Sequence, residues 1–391
     1  MAKFTAHELN LIQPRFDSTL MDLIIDLNHL RKKTLKESTP PEIFFQLKNL
    51  FQLLESLESA RIEGNNTTLE EYIESKIEGN KNLSSDIKEI DNIESTMEFV
   101  EQIAKDHSIG KLFISEMHKK IVEDLPFPPE GEGDRNPGMY RQINISIQKS
   151  SHKPPDFMLV PEYMDELIQF IEKEDSPKYD LLKIAIAHHR FVWIHPFGNG
   201  NGRTVRMLTY AMLVKSGFNV SVGRILNPTA IFCGNRDNYY KNLSIADSGD
   251  EDSRLIWCEY VLQGLKDEIE KIDKILNYDY LKNEILLPAL KDALENKYIT
   301  NKEFSILVKA VVKNIIKASD LKEIFPDKAQ TEISRQIRRL IEKKMLVGKT
   351  ESSRKYTISF INNYLLRSVI RLLVKKGFVP FRDKSTMNPS H

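Results

Sequence analysis

Cysteine is nearly missing from this chain: Cys233 and Cys258 are the only two among 391 residues. That argues against a disulfide-stapled scaffold and a cysteine-rich metal site, and it suits a reducing compartment. An excess of one charge sign is missing as well. Lys plus Arg and Asp plus Glu both number 56, so the formal net charge is zero. No global field steers the protein toward nucleic acid or a membrane, and any such role must come from a local patch. No apolar run approaches the roughly 18 residues of a membrane-spanning helix. The opening Met1-Ala2-Lys3-Phe4-Thr5 carries no apolar signal core. Internal repeats and low-complexity segments are absent. These absences leave the expectation of a cytoplasmic, mainly helical protein without a membrane role, long enough for two or three cored domains.

What is present is concentrated in one stretch: His195-Pro196-Phe197-Gly198-Asn199-Gly200-Asn201-Gly202-Arg203-Thr204-Val205-Arg206. Alternating glycines let backbone N–H groups turn toward one anion. The apolar-rich run Met207–Val214 reads as a helix closed by Gly217. The glycine turn therefore feeds a helix N-terminus, whose partial positive charge favours phosphate. Arg203 and Arg206, three apart, share a face at that end. His195 lies just upstream, on a different element, where an imidazole can take a proton from a group facing the phosphate. The arginine forks match phosphate oxygens better than lysine does. No cluster of His, Asp and Glu has the spacing of an all-protein zinc site.

Helical periodicity predicts helices over 16–34 and 41–62, divided by Ser38-Thr39-Pro40-Pro41. In the second, Leu47, Leu50, Leu54 and Leu57 fall on one face, and Gly64-Asn65-Asn66 is its stop signal. Residues 67–95 are polar with few apolar anchors and are expected to cross the surface. Further helices are expected at 94–106, 110–122, 161–174, 179–193, 203–215, 235–247 and 252–275. A long loop is expected from Pro126 to Gly138, and a short strand or hairpin arm where polar and apolar residues alternate over Arg141–Ile147. The tail offers helices at Lys302–Val312 and Thr331–Lys344, the latter with Ile333, Ile337, Leu340 and Ile341 inward, and Ser319 as the cap of a short helix between them. Two strands follow within Met345–Phe360, around a basic turn from Lys349 to Lys355. That is the order of a winged helix-turn-helix.

The stretch 195–206 resembles the signature of the Fic family, His-x-Phe-x-(Asp/Glu)-Gly-Asn-Gly-Arg-x-x-Arg, with its spacing intact. Ala187–Ile194 resembles the helix that leads into that signature, and Gly138-Met139-Tyr140-Arg141 with Ile143–Ile147 stands where the family has a β-hairpin "flap". The resemblance covers roughly 95–265. It implies a Fic-type helical bundle with a short flap, and three parts: an N-terminal helical region 1–94 with an inhibitory helix near 47–64, a catalytic domain 95–268, and a linker helix with a winged helix domain over 269–391.

The implied activity is transfer of the AMP part of ATP to a Ser, Thr or Tyr hydroxyl of a protein, with the flap pairing to an extended target segment. By that resemblance His195 is the general base. Gly200, Asn201 and Gly202 cradle the anion, Arg203 and Arg206 hold the outer phosphates, Phe197 anchors the loop, and Tyr239 and Tyr240 contact the base. Ser59-Ala60-Arg61-Ile62-Glu63-Gly64 resembles the family's inhibitory motif. Ser59 and Glu63 are its fixed residues, and Glu63 is expected to pair with Arg206 and keep it from the γ-phosphate. His189 is expected to pack beneath the loop, and Asp247 to cap its helix or to contact ribose.

One position departs from the signature. The family's acidic metal ligand is Asn199 here. A carboxamide oxygen can ligate Mg²⁺ without contributing negative charge, so weaker metal binding is expected. That departure keeps alternatives open: a silent Fic domain serving a nucleotide-responsive DNA-binding regulator, transfer of another nucleotide, or removal of AMP with Glu63 positioning a water. Arg335, Arg338 and Arg339, continued by Lys343, Lys344, Lys349, Arg354 and Lys355, form the footprint of phosphate contacts over residues 300–360, diluted by Glu332 and Glu342. The protein target is open, self-modification included, and a homodimer is compatible with the sequence.

Overall fold

The computed structural model describes residues 4–32, 39–78, 84–147, 150–218, 225–348, 354–361 and 363–379. The elements in chain order are helices α1 (Thr19–Lys32), α2 (Pro41–Glu63), α3 (Leu69–Glu78), α4 (Ser85–Ile103), α5 (Lys111–Val122), α6 (Val160–Glu172), α7 (Asp180–Ile194), α8 (Asn201–Lys215), α9 (Thr229–Cys233), α10 (Arg236–Ala246), α11 (Glu251–Ile275), α12 (Tyr278–Tyr280), α13 (Leu287–Glu295), α14 (Asn301–Lys313) and α15 (Gln330–Glu342), strands β1 (Leu346–Gly348) and β2 (Tyr356–Ile358), and helix α16 (Leu365–Lys375). The mainly α class expected from the sequence is borne out. The chain forms two compact units. The first contains 1–34, 52–67 and 82–270, and the second contains 35–51, 68–81 and 271–391.

The core of the first unit is the pair α7 and α8, packed on each other and flanked by α4, α5 and α6. Both central helices are buried nearly all round, and the polar side chains they carry inside, such as His188 and Arg190 of α7 and Arg203 and Arg206 of α8, are held by hydrogen bonds or ion pairs. Trp193 and Ile194 of α7 and Val205 and Ala211 of α8 are fully enclosed. Gly217 closes α8 at φ +100°, the left-handed position a helix-ending glycine fills, while Phe218 N–H bonds Leu213 O. The predicted face of α2 is completely buried at Leu47, Leu50, Leu54 and Leu57. The helix stops where Gly64 turns to φ +116°.

In the second unit, α13 packs on α14 and α16. A capping box in which Thr300 and Glu303 bond each other's backbone starts α14. The two strands are antiparallel, pairing Leu346 with Ile358 and Gly348 with Tyr356. The helices and strands expected in the tail are therefore present. Residues 349–353 of the expected basic turn lie outside the described residues.

Several expectations need correcting. Residues 67–95 do not simply cross the surface: they hold α3 and the first half of α4. Ser84 caps α4 by accepting from Ile87 N–H, and Leu69 with Ile73 and Ile90 with Ile93 supply buried anchors about one turn apart, beside buried Tyr72. The expected hairpin arm at Ile143–Ile147 forms no strand. Arg141 N–H is taken by Pro196 O, its guanidinium bonds Ile143 O and Pro155 O, and Ile143 stays largely exposed, so nothing apolar backs a ladder there. Ser319 lies inside the short 3₁₀ turn Ala318–Leu321 and does not cap it. Ile333, Ile337 and Leu340 face inward as expected, but Ile341 is exposed. The helices α13 and α16 were not anticipated.

Candidate active site

The last turn of α7 delivers His195 in the left-handed region, φ +51°. Its Nδ1 lies 3.3 Å from Val192 O. A carbonyl only accepts, so the proton sits on Nδ1 and Nε2 keeps a free lone pair. Burial pushes the imidazole down to about 4, with Arg141 and His152 adding to the shift while the Val192 bond and Glu63 oppose it. His195 is therefore neutral at neutral pH.

The loop beyond it is tied from within and from below. Asn201 folds back so that its carboxamide accepts from Phe197 N–H and donates to Phe197 O, both at 2.9 Å. Phe197 is buried and stacks face to face on His118 of α5, centroids 3.8 Å apart. His118 Nε2 donates to Asn199 O at 3.0 Å, and its Nδ1 accepts from Gly138 N–H at 2.8 Å. Asp134 accepts from Asn199 N–H and Asn136 N–H, each at 2.8 Å. Gly200 turns at φ +72° into the start of α8. A Cβ there would meet Val122 Cγ1 at 3.0 Å as well as a strained backbone, so glycine is required twice over.

At the N-terminus of α8 stands a carboxylate from α2. Glu63 Oε1 would stand only 2.1 Å from a Cβ at position 202, so Gly202 is what admits it. The same oxygen accepts from Arg206 Nη2 at 2.8 Å. Arg206 also donates through Nε to Ser59 Oγ and through Nη2 to Ser59 O, both at 2.9 Å. Burial works to raise the Glu63 pKa, but Arg206 and Arg203 outweigh it and hold the carboxyl below its ordinary value. Burial likewise opposes the charge on Arg206, and Glu63 outweighs it.

Arg203 is fully enclosed. Its Nη1 lies 2.9 Å from Glu89 Oε1, and its Nη2 donates to Glu132 O at 2.7 Å, with Glu132 Oε2 at 3.4 Å. Asn199 Nδ2 donates to Glu132 Oε2 at 3.1 Å and to Gly133 O at 3.2 Å. Two acceptors on that side fix the amide's orientation and leave Oδ1 on the other. Among the described residues no group of three or more His, Cys, Asp or Glu side chains could hold a metal.

The expected base contacts differ in setting. Tyr239 is buried, its hydroxyl 3.0 Å from His188 Nε2, and His188 Nδ1 is 2.8 Å from Thr209 Oγ1. Tyr240 is 44% exposed, and its hydroxyl accepts from Arg236 Nε at 3.2 Å. His189 packs against Trp257 and bonds Asp247 at 3.0 Å. The sequence reading passed over His118, Asp134, Glu89 and Glu132. The Pro126–Gly138 loop is the only signal that bears on Asp134 and Glu132, because its turn residues lay those carboxylates on the motif.

The arrangement offers a neutral imidazole with a bare nitrogen, a glycine-lined helix N-terminus and a buried guanidinium whose carboxylate partner comes from a separate helix. The Fic/DOC family model matches residues 108–213. Among curated relatives, protein adenylyltransferase fic-1 of Caenorhabditis briggsae is 29% identical over 145 residues, 37% of this chain and 25% of that protein. Protein adenylyltransferase Fic of Nematostella vectensis is 28% identical over 202 residues, 49% of this chain and 42% of that protein. The match thus spans less than half the length of these relatives. Among solved structures, a Fic family protein from Desulfovibrio desulfuricans G20 superposes with a TM-score of 0.51 at 18% identity, covering 89% of this chain and 98% of its own. That likeness concerns the fold.

Proposed function

We propose that this chain, whose residues 108–213 are a Fic/DOC domain, is a protein adenylyltransferase held in check by its own Glu63. Several curated relatives of the domain are named protein adenylyltransferases, and the residue chemistry fits that reaction. His195 Nε2 takes the proton of a target hydroxyl. The freed oxygen attacks the α-phosphorus of ATP, the bond from that phosphorus to the bridging oxygen breaks, and pyrophosphate leaves. The amides of Gly200, Asn201 and Gly202 at the start of α8 receive phosphate oxygens, and Arg206 binds the outer ones. Mg²⁺, when bound with the nucleotide, would neutralise phosphate charge, with Asn199 among its neighbours. Tyr240 is the more accessible of the two tyrosines for the base.

The single observation that carries the inhibition is the 2.8 Å bond from Arg206 to Glu63, whose carboxylate sits on Gly202. One negative group occupies the cradle and claims the guanidinium, so a triphosphate cannot settle there in the productive pose. The test is intact mass after incubation with ATP and Mg²⁺. Glu63→Gly is expected to gain AMP on itself or on an added target at least about tenfold faster than the parent, the difference one charged hydrogen bond makes. Adding His195→Ala is expected to abolish the gain. Equal labelling of parent and Glu63→Gly would remove the inhibitory role.

The functional division into 1–94, 95–268 and 269–391 belongs to this reading, as does a winged helix in the second unit. Arg335 and Arg338 on the exposed face of α15 favour a nucleic-acid role for that unit.

A further inference from the structure

Beyond Glu63, the last residue of α2, the chain enters a turn whose bonds converge on one side chain. Asn65 is buried. Its backbone N–H donates to Ala60 O at 3.2 Å, and its Oδ1 accepts from Thr67 N–H at 2.9 Å. Its Nδ2 leaves the turn and donates to Asp86 O and to Glu89 Oε2, each at 2.8 Å. Arg61 Nη2 closes the same turn by donating to Thr67 O at 2.8 Å. One carboxamide therefore spends both its donors on fastening the end of α2 to the start of α4.

Glu89 carries that fastening on to the anion site. It is buried, and its other oxygen, Oε1, lies 2.9 Å from Arg203 Nη1. The end of α2 thus reaches both arginines of α8. It holds Arg206 directly, through Ser59 and Glu63, and Arg203 at one remove, through Asn65 and Glu89. Burial pushes the Glu89 carboxyl up, with Arg203 and Asn65 opposing. A buried carboxylate that loses a partner is left uncompensated, so the bond from Asn65 counts for more than an exposed one would. A bond made only while a helix is docked biases the protein toward the docked state.

We propose that Asn65, bonded to Glu89, is a latch on the inhibitory helix: it holds the end of α2 so that Glu63 stays on Arg206, and its release frees Arg206 for an anion. Asn65 is a positioning residue that acts through Glu63. The inference rests on the inhibitory reading of Glu63, and its test separates the two.

The gain of AMP from ATP is followed by intact mass on the full chain carrying Asn65→Ala or Asn65→Asp, each with Glu63 in place and with Glu63→Gly. With Glu63 in place, both variants are expected to raise the labelling rate about tenfold, the factor one hydrogen bond to a charged group makes. Asn65→Asp keeps an acceptor for Thr67 N–H and loses the donor to Glu89. Glu89→Gln, added to it, exchanges donor and acceptor across the same contact and is expected to lower labelling again. In the Glu63→Gly background Asn65→Ala is expected to change nothing further. Labelling as slow as the parent's in both Asn65 variants, while Glu63→Gly is fast, overturns the latch and leaves the inhibitory glutamate standing. An equal rise in both backgrounds overturns it too, because Asn65 then acts on the reaction and not through Glu63. Slower labelling in both backgrounds with a lowered thermal midpoint assigns Asn65 to the fold alone and also overturns it. Equal labelling of the parent and Glu63→Gly ends both readings.

Discussion

His118 shows how much of the site depends on single side chains that the motif does not contain. It gives one ring face to Phe197, one nitrogen to Asn199 O and the other to Gly138 N–H. Burial pushes it down to about 4, with Arg203 adding slightly and Asn199 and Asp134 opposing, so it stays neutral and keeps the tautomer both bonds need. Replacing it with Ala removes a stacked pair worth about 1 kcal/mol and two buried hydrogen bonds worth about 1 kcal/mol each. His118→Ala is therefore expected to cost about 3 kcal/mol of stability, read as a lowered thermal midpoint. In the Glu63→Gly background it is expected to weaken nucleotide binding in EDTA, because the cradle loses its floor. Unchanged affinity would show that Asn201 and Asp134 hold the loop without it. The motif residues were legible because their chemistry is packed into one stretch. His118, Asp134 and Glu132 were not, because each acts through partners distant in sequence, and a lone His or Asp in a sequence carries no mark of what will pack beneath it.

Elements set the registers that make those contacts. The buried leucine face of α2 fixes its rotation, and Ser59 and Glu63, four apart, then fall on the side that meets Arg206. The helix must also end just after Glu63. Gly64 does this at φ +116° with open space around it. Gly64→Ala places a side chain in a region that costs an L-residue roughly 1–2 kcal/mol. The variant is expected to fray the last turn and raise labelling from ATP toward the Glu63→Gly level. A Gly64→Ala protein as quiet as the parent would show that α2 holds Glu63 without its glycine stop. Helices with a strong apolar face, such as α2, α7 and α8, were visible in sequence. The polar stretch holding α3 and the start of α4 was not, since a few anchors one turn apart look like scatter until neighbours cover them. The alternation at Arg141–Ile147 misled for the opposite reason: period two describes a strand only when a partner takes its N–H groups, and Pro196 took the first.

On α15 the guanidinium of Arg338 pairs with Glu342 at 3.3 Å, and Lys343 pairs with Glu303 at 2.6 Å. Few cations are therefore left to meet phosphates. If the unit binds a duplex, Arg335 carries it, joined by Arg338 once that side chain exchanges Glu342 for a phosphate, and the salt slope is expected between about −1 and −2, about −0.9 per phosphate. Band shifts of the full chain with a generic duplex, repeated with Arg335→Glu and Arg338→Glu, test this. Binding that persists in both variants would move the contact off α15.

At the scale of the whole molecule the neutral charge balance hides an uneven distribution of histidines. The first unit holds His7, His118, His152, His188 and His195, all pushed below their ordinary value chiefly by burial, with His7, His118 and His195 near 4. Within the second unit the only histidine is His391, at the chain end. Each lowered histidine is neutral in the fold and has an ordinary value near 6.5 in the unfolded chain. Between about pH 6.5 and 4 the unfolded chain therefore binds more protons, and stability falls as pH falls through that window. Glu55 works the other way. Burial raises it to about 8 against the bonds from Thr229 and the charge of Arg206, so its contribution declines as pH rises from about 4.5 to 8. Glu89 is raised by burial too, and five histidines against these two glutamates decide the sign. Both tryptophans, Trp193 and Trp257, lie in the first unit, so fluorescence reports that unit alone. The fluorescence melting midpoint is expected to drop from pH 7 to pH 5. A component of the helical circular dichroism, that of the second unit, is expected to hold its midpoint. A fluorescence midpoint equal at the two pH values would show that the buried imidazoles do not outweigh the buried glutamates.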